Sequence, residues 1–78
     1  MRSANVLEFV VKQLVDNPDD VAVAITEGDR EIVLELTVNQ DDLGKVIGKR
    51  GRTAKALRTL VKSAGSIDDE NVTVEILD

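Results

Sequence analysis

The residues whose chemistry stands out most clearly form a cationic stretch between positions 43 and 64 that contains no carboxylate. It holds seven of the ten Lys and Arg residues of the chain: Lys45, Lys49, Arg50, Arg52, Lys55, Arg58 and Lys62. All fifteen Asp and Glu residues lie elsewhere with the other three cations, so the charge divides into +7 and −12 within a net charge of −5. A polyanion responds to the local field of one face more than to the net charge of the molecule. The stretch is therefore a candidate site for phosphate groups.

Gly48-Lys49-Arg50-Gly51, here called the GKRG loop, lies at the centre of this stretch. Two helices joined by this spacing must turn sharply, and glycine permits both the unusual backbone angles and a close approach to a ligand. The helix that follows points its free N–H groups and positive dipole end at the loop. Lys49 and Arg50 are the first candidates for phosphate contact, and Lys45 and Arg52 come next. The cations farther along, Lys55, Arg58 and Lys62, are as well suited to steering a ligand or to pairing with acidic neighbours as to direct contact, and Lys55 is included among the candidate contact residues.

Other glycine motifs do not fit the sequence. A P-loop requires four residues between its glycines and Ser or Thr after the lysine, but three residues separate Gly44 from Gly48, and Arg50 follows Lys49. A dinucleotide fingerprint would place glycine where Val46 stands. Lys45 and the surrounding charge exclude a GxxxG contact within a membrane.

Composition argues against catalysis and against a resident metal or cofactor. The chain has no Cys and no His, so thiolate and imidazole ligands, nucleophiles and bases are absent. The acidic groups Asp19-Asp20, Asp41-Asp42 and Asp68-Asp69-Glu70 flank predicted elements, where caps and turns favour Asp, and none has the spacing of a calcium loop. We expect no enzyme activity, no cofactor and no metal site.

The length of 78 residues fits a single domain over 1–78 with thin stability. Small domains without disulfides or metals often gain stability by association, so a homodimer is a reasonable expectation. The N-terminal segment lacks the apolar run of a signal peptide, and no span has transmembrane length. The sequence therefore predicts a cytoplasmic protein without membrane insertion.

Periodicity predicts six elements in the order αββααβ. An amphipathic helix is expected over 5–16, with Ser3 or Asn5 as its cap and Asn17-Pro18 after its end. Phe9 lies at the edge of its apolar arc, either completing the core or contacting another subunit. A hairpin follows that turns at 27–30, with alternating inward residues: Val21, Val23, Ile25, Ile32, Leu34, Leu36 and Val38.

The last three elements are two helices and a strand. A short helix is predicted over 41–47 and a longer one over 52–64, and Gly65 is expected to stop the longer helix. Its inward stripe is Ala54, Leu57, Leu60, Val61 and Ala64. The final strand turns Val72, Val74 and Ile76 inward. A crossover through helices makes this strand parallel to the second, which is itself antiparallel to the first. The predicted fold class is α+β: two layers, with a three-stranded mixed sheet covered by helices on one face.

The segment from Leu34 to Val61, LELTVNQDDLGKVIGKRGRTAKALRTLV, resembles the KH domain of the second topological type. More narrowly, the chain is similar over nearly its whole length to the KhpA (YlqC-like) family of small bacterial KH-domain proteins. The VIGxxG core followed directly by Arg-Thr-Ala-Lys carries the likeness. Arg50 departs from it, because Gln or another uncharged polar residue is expected there, and the change strengthens phosphate attraction.

The resemblance implies binding of single-stranded RNA in a narrow cleft for about four nucleotides, with the loop clamping the backbone. The chain has no Trp or Tyr and only one Phe, so bases cannot be read mainly by aromatic stacking. Val38, Val46 and Ile47 are candidates for an apolar floor under the bases, with ordinary core positions as the alternative for each. The resemblance further implies a non-enzymatic RNA chaperone, acting as a homodimer or with a KhpB (Jag-like) partner and linked to cell shape and cell-wall homeostasis.

Two other functions remain open at this point. The wide apolar arc of the first helix would suit a protein-interaction subunit in which RNA binding is secondary. A ribosome-assembly factor is the other alternative, because related KH folds occur in such factors.

Overall fold

The computed structural model describes all 78 residues and contains three helices and three strands. In chain order they are α1 (Arg2–Leu14), β1 (Ala22–Glu27), β2 (Ile32–Thr37), α2 (Leu43–Ile47), α3 (Arg52–Ile67) and β3 (Val72–Ile76). Single 3₁₀ turns at Pro18–Asp20 and Gln40–Asp42 lie between some of these elements, and a turn with non-helical backbone at Lys49–Gly51 joins α2 to α3. The αββααβ order predicted from periodicity is confirmed.

The sheet has the predicted topology. Its strand order is β1-β2-β3, with β1 antiparallel to β2 and β2 parallel to β3. The central strand supplies two fully buried leucines, Leu34 and Leu36, which lie opposite Val74 and Ile76 of β3. The strand-period alternation therefore identified the helix-covered face correctly. Ile25 lies on this face but is 48% exposed, because β1 is an edge strand that the helices cover only in part.

The core lies between the sheet and the helices. Leu7 and Val11 of α1, and Leu57 and Val61 of α3, are buried in one cluster with the inward residues of the sheet. α1 packs against α3 and β1, and α3 packs against β3. Burying a leucine or valine stabilises the fold by roughly 1.5–3 kcal/mol each. These contacts fix α1 and α3 on the sheet, so the start of α3, and with it one end of the GKRG loop, has a defined position.

The start of α1 differs from the prediction. The helix begins at Arg2, and neither Ser3 nor Asn5 caps it. Ser3 is instead fully buried, and Arg2 forms an ion pair of 3.1 Å with Asp68 just beyond α3. The extra residues are helical because they pack on the tertiary structure, which outweighs the local preference of Ser and Asn for caps.

The predictions for Gly65 and Leu60 were wrong. α3 continues through Gly65 to Ile67, and Gly65 is buried where the helix passes close to β3. A Cβ added there would lie 2.7 Å from Val72 Cγ2, so glycine serves close packing rather than termination. Leu60 is 43% exposed, because it lies on the flank of α3 rather than toward the sheet.

No helix in the structure has both the length and the apolar character needed to cross a membrane.

Candidate nucleic-acid interface

The GKRG loop joins α2 to α3 through a turn with an unusual backbone. Gly48 has φ 76° and ψ 174°, and Gly51 has φ 73° and ψ 14°. Arg50 also has positive φ, at 58°. The Gly51 amide donates to the Gly48 carbonyl at 3.1 Å, which closes the turn. Three residues with positive φ within four positions fold the chain tightly and leave Lys49 and Arg50 exposed at its tip.

The start of α3 is open toward this loop. Gly51 is the residue before the helix, and no side chain caps the helix start. The first turn of a helix carries N–H groups without intrahelical partners and the positive end of the helix dipole. Arg52, the first helical residue, is exposed, and Lys55 follows nearly one turn later. This end of α3 therefore combines partial and full positive charges in one place.

The exposed surface of α3 divides into two lengthwise parts. Its cationic flank consists of Lys55, Arg58 and Lys62 at helical spacing, and it borders the sheet because Arg58 Nε donates to the Val74 carbonyl at 3.5 Å. Its apolar stripe consists of the exposed residues Ala56, Leu60 and Ile67 at positions i, i+4 and i+11, with the polar Ser63 between Leu60 and Ile67. The two parts offer different chemistry, one to anions and one to apolar surfaces.

Ion pairing separates the cations of the site into two groups. The ion pairs of the molecule join Arg2 to Asp68, Lys12 to Glu8, and Lys45 to both Asp16 and Asp42. The loop cations, Arg52 and the cationic flank have no carboxylate partner. These six cations are available to an external anion, whereas the charge of Lys45 is already compensated.

Lys45 belongs to a network around the carboxylate of Asp42. Lys45 Nζ donates to Asp16 Oδ2 at 2.7 Å and lies 3.8 Å from Asp42 Oδ1. The hydrogen bond to Asp16 and the charge of Asp16 raise the pKa of Lys45, against a smaller opposing effect of burial. Lys45, the one cation of α2 and a candidate ranked after Lys49 and Arg50, is thus held by the protein itself.

Asp42 is almost completely buried, at 1% exposure. Its carboxylate accepts hydrogen bonds from the Asp16 amide at 3.2 Å, the Asn17 amide at 3.0 Å and Asn17 Nδ2 at 3.1 Å. Burial by itself raises the pKa of Asp42, but the hydrogen bonds from Asn17 and Asp16 together with the charge of Lys45 outweigh it and hold that pKa below its ordinary value. The sequence predicted a turn or cap for the pair Asp41-Asp42, and only the structure separates the exposed Asp41 from the buried Asp42.

The three apolar candidates occupy different environments. Val46 is fully buried in the core, so the core interpretation is correct for it, and it offers no surface to a base. Ile47 is 39% exposed directly before the loop. Val38 is half-buried and lines a cavity of about 450 Å³ beyond the end of β2, which contains none of the loop residues.

The cavity at the end of β2 also includes residues that the sequence did not single out. Its apolar lining is Val38, Leu43 and Leu77, and its polar lining is Thr37, Gln40 and Asp78. Leu43 is the first residue of α2, whose five residues span about 7 Å. The cavity and the GKRG loop thus lie at the two ends of α2. Leu43 could have been identified from its place in the motif-bearing helix, whereas Leu77 follows the last strand and carries no such signal.

Phe9 is 66% exposed on the side of α1 opposite its buried residues. Completion of the core, one of the two interpretations considered for it, is therefore excluded. Its surface is open to another molecule.

Comparisons with known proteins place the chain beside one family. The family model described as KhpA/KhpB, KH domain matches residues 4–76. The chain is 51% identical over 71 residues to the RNA-binding protein KhpA of Clostridium acetobutylicum, covering 91% of this chain and 95% of that protein. It is 47% identical over 72 residues to the RNA-binding protein KhpA of Borreliella burgdorferi, covering 92% of this chain and 88% of that protein.

Solved structures share the fold over a part of their length. The structure of Aquifex aeolicus Era bound to GDP.AlF4- aligns with a TM-score of 0.65 and 23% identity, covering 95% of this chain and 29% of Era. Era in complex with MgGDPNP and nucleotides 1506–1542 of 16S ribosomal RNA aligns with a TM-score of 0.60 and 24% identity, covering 95% of this chain and 28% of Era. At such identity the likeness concerns the fold alone, and this chain corresponds to less than a third of either protein.

Proposed function

This chain belongs to the KhpA/KhpB family of KH-domain proteins, which is not a family of enzymes, and on that basis we propose that it is a cytoplasmic RNA-binding protein whose GKRG loop clamps single-stranded RNA. The proposed contacts to the RNA backbone are made by the loop, Gly48 to Gly51, and by Arg52 and Lys55 of α3. About four nucleotides fit this mode of binding.

The observation that carries the proposal is the group of six unpaired cations at and beyond the loop, in a chain with a net charge of −5. Phosphate contacts supply most of the affinity of such an interface. Lys49 and Arg50 are exposed at the tip of the turn, next to the uncapped start of α3. Carboxylates over the rest of the surface repel RNA, which confines it to this face.

Apolar surface for the bases is available at both ends of α2. Ile47 borders the loop, and the cavity lined by Val38, Leu43 and Leu77 lies at the other end of the helix. An RNA strand clamped at the loop can place bases against these aliphatic surfaces, because the length of α2, about 7 Å, corresponds to roughly one or two nucleotides. This arrangement suits a chain with a single aromatic residue.

The proposal includes self-association through exposed apolar surface. The apolar stripe of α3 exposes 43% of Leu60 and 69% of Ile67, and Phe9 of α1 is similarly open. Two such domains side by side would double the length of RNA contacted and raise affinity through effective concentration. A homodimer or a pair with a KhpB (Jag-like) protein fits this surface. An RNA-chaperone role linked to cell shape and cell-wall homeostasis is proposed on the family resemblance alone.

The test is binding of a labelled single-stranded RNA across a salt series. We expect a log–log salt slope of roughly −2 to −3 for the native chain, as for three or four neutralised phosphates on a single strand. The Lys49→Asp, Arg50→Asp double variant should lose binding while its unfolding curve stays close to the native one, because both side chains are exposed. The matched control is Lys12→Asp, Arg30→Asp, which changes the net charge equally at exposed cations outside the 43–64 stretch.

Three outcomes separate the possibilities. Loss of binding in the loop variant alone supports the clamp. Equal loss in both variants indicates a nonspecific response to net charge. Unchanged binding in the loop variant, or no binding by the native chain, refutes the clamp and favours protein interaction through the apolar stripe of α3.

A further inference from the structure

The segment that carries the GKRG loop has little support of its own. α2 has five residues, which is far too short for a stable isolated helix. It buries one side chain fully, that of Val46, and its second residue is a glycine. The loop begins directly after this helix, so whatever holds α2 also sets the direction of the loop.

Asp42 is the residue before α2, yet its carboxylate makes no capping hydrogen bond to that helix. It reaches instead to the connection after α1, where it accepts three hydrogen bonds between 3.0 and 3.2 Å from Asp16 and Asn17. Nearly complete burial keeps these bonds out of competition with water. An aspartate at a cap position that binds a segment 25 residues away is a tertiary tether.

Lys45 adds a second link between the same two segments. Its ammonium binds the Asp16 carboxylate at 2.7 Å, while the Asp16 amide binds Asp42. Asp16, Asp42 and Lys45 thus form a closed ring that joins the first turn of α2 to the end of α1. To contact RNA, Lys45 would have to leave two carboxylates that already compensate its charge.

We propose that Asp42 is a positioning residue for RNA binding: with Asp16 and Lys45 it fixes α2 on the end of α1 and so aims the GKRG loop, and Lys45 acts in this ring rather than on RNA. The inference rests on the RNA-binding function proposed above and deepens it. It also removes Lys45 from the set of phosphate contacts.

The test compares Asp42→Asn with Asp41→Asn. Both remove one negative charge beside the site, but the Asp41 side chain is exposed and makes no hydrogen bond through its carboxylate. Electrostatics alone makes both variants bind single-stranded RNA slightly more tightly, because less negative charge remains. We expect that result for Asp41→Asn, whereas Asp42→Asn should bind roughly five- to tenfold more weakly after correction for the folded fraction. Equal affinity of the two variants would overturn the proposal.

A measurement on the free protein tests the tether independently of RNA binding. In the folded Asp42→Asn protein, the backbone amide resonances of Gly48, Lys49 and Gly51 should shift and exchange faster with solvent, whereas Asp41→Asn should leave them in place. Shifted resonances together with an absence of RNA binding by the native chain would refute the function but not the tether. Unmoved resonances would refute the tether whatever the affinity.

Lys45→Gln supplies a variant that keeps the buried Asp42 and its backbone hydrogen bonds. If Lys45 acts in the ring, affinity falls while the salt slope stays at its native value. If Lys45 binds a phosphate, the slope becomes less negative by about 0.7, the contribution of one phosphate on a single strand, and the assignment of Lys45 to the ring is wrong.

Discussion

Alanine substitutions at the two glycines of the GKRG loop separate two costs in folding free energy, backbone strain and steric overlap, which the sequence motif does not distinguish. Gly48 combines φ 76° with ψ 174°, a region that essentially only glycine occupies. Gly51, at φ 73° and ψ 14°, is left-handed helical, which Asn tolerates better than other side chains. Both positions therefore carry backbone strain when substituted.

The surroundings of the two glycines differ more than their backbones. A Cβ at Gly48 would lie 2.7 Å from Thr53 Cβ and 2.9 Å from the Thr53 nitrogen, and Thr53 Oγ1 would be closer still. A Cβ at Gly51 meets no atom within 4 Å. Since the Thr53 backbone belongs to the first turn of α3, the clash at position 48 cannot be relieved by a side-chain rotation.

These contacts set the expected magnitudes. Gly51→Ala should cost about 1 kcal/mol, from the left-handed backbone alone. Gly48→Ala should cost about 4 kcal/mol, from backbone strain of roughly 1–3 kcal/mol together with overpacking of roughly 1–3 kcal/mol. For 78 residues the total free energy of unfolding is roughly 4–12 kcal/mol, so the Gly48 variant approaches the limit of folding.

The assay is urea unfolding followed by far-ultraviolet circular dichroism, since the chain has no Trp or Tyr to report by fluorescence. Gly51→Asn is the control, and it should be less destabilised than Gly51→Ala. Equal decreases in the free energy of unfolding for Gly48→Ala and Gly51→Ala would refute the reasoning, because the clash with Thr53 would then contribute nothing. A change in the dependence of the unfolding free energy on urea would signal an altered denatured state and require a second probe.

Three further predictions concern the core and the tether. Gly65→Ala gains about 1 kcal/mol of helix propensity but forces a Cβ to 2.7 Å from Val72 Cγ2 and 3.0 Å from the Glu70 carbonyl, at an overpacking cost of roughly 1–3 kcal/mol, so we expect a net loss of up to about 2 kcal/mol in urea unfolding; a gain in stability would contradict the close packing. Ser3→Ala removes a buried hydroxyl that has no hydrogen-bond partner, so the unfolding free energy should rise by about 1 kcal/mol, and a fall would show that the hydroxyl is satisfied. Because the folded-state pKa of Asp42 is lowered, its contribution to stability is present above the unfolded-state pKa and is lost as pH falls through the folded-state value. As the pH is lowered in the acid range, the free energy of unfolding should therefore fall more steeply for the native chain than for Asp42→Asn. Parallel decreases would show that the Asp42 carboxylate does not contribute to stability in this way.

Some features follow from local residue patterns, which act over a few positions of the chain. The strand-period alternation in β2 and β3 identified the buried face, and the order of helices and strands allowed only a mixed sheet with β3 parallel to β2. The position of the GKRG loop between two helices was predicted in the same way, because glycine spacing and apolar periodicity are both local signals. Family membership was also visible in the sequence, since the motif around Gly48 is specific.

The errors occurred where distant segments decide a residue's surroundings. Gly65 looks like a helix stop in sequence, but α3 passes so close to Val72 that only a residue without a side chain fits. Leu60 has the helical spacing and the apolar side chain of a core residue, yet it lies on the flank of α3 and remains exposed. Ser3 has the preference of a cap, but packing of α1 buries it within the helix.

The sequence by itself determined the elements, their order, the charge segregation and the GKRG motif, because these depend on residue types and short spacings. Only the tertiary structure decided which cations remain free and which aspartate is buried. Asp41 and Asp42 are identical in type and adjacent, and Lys45 matches Lys49 in charge. Their roles differ because the end of α1 lies beside the start of α2, a contact between residues some 25 positions apart that no local pattern encodes.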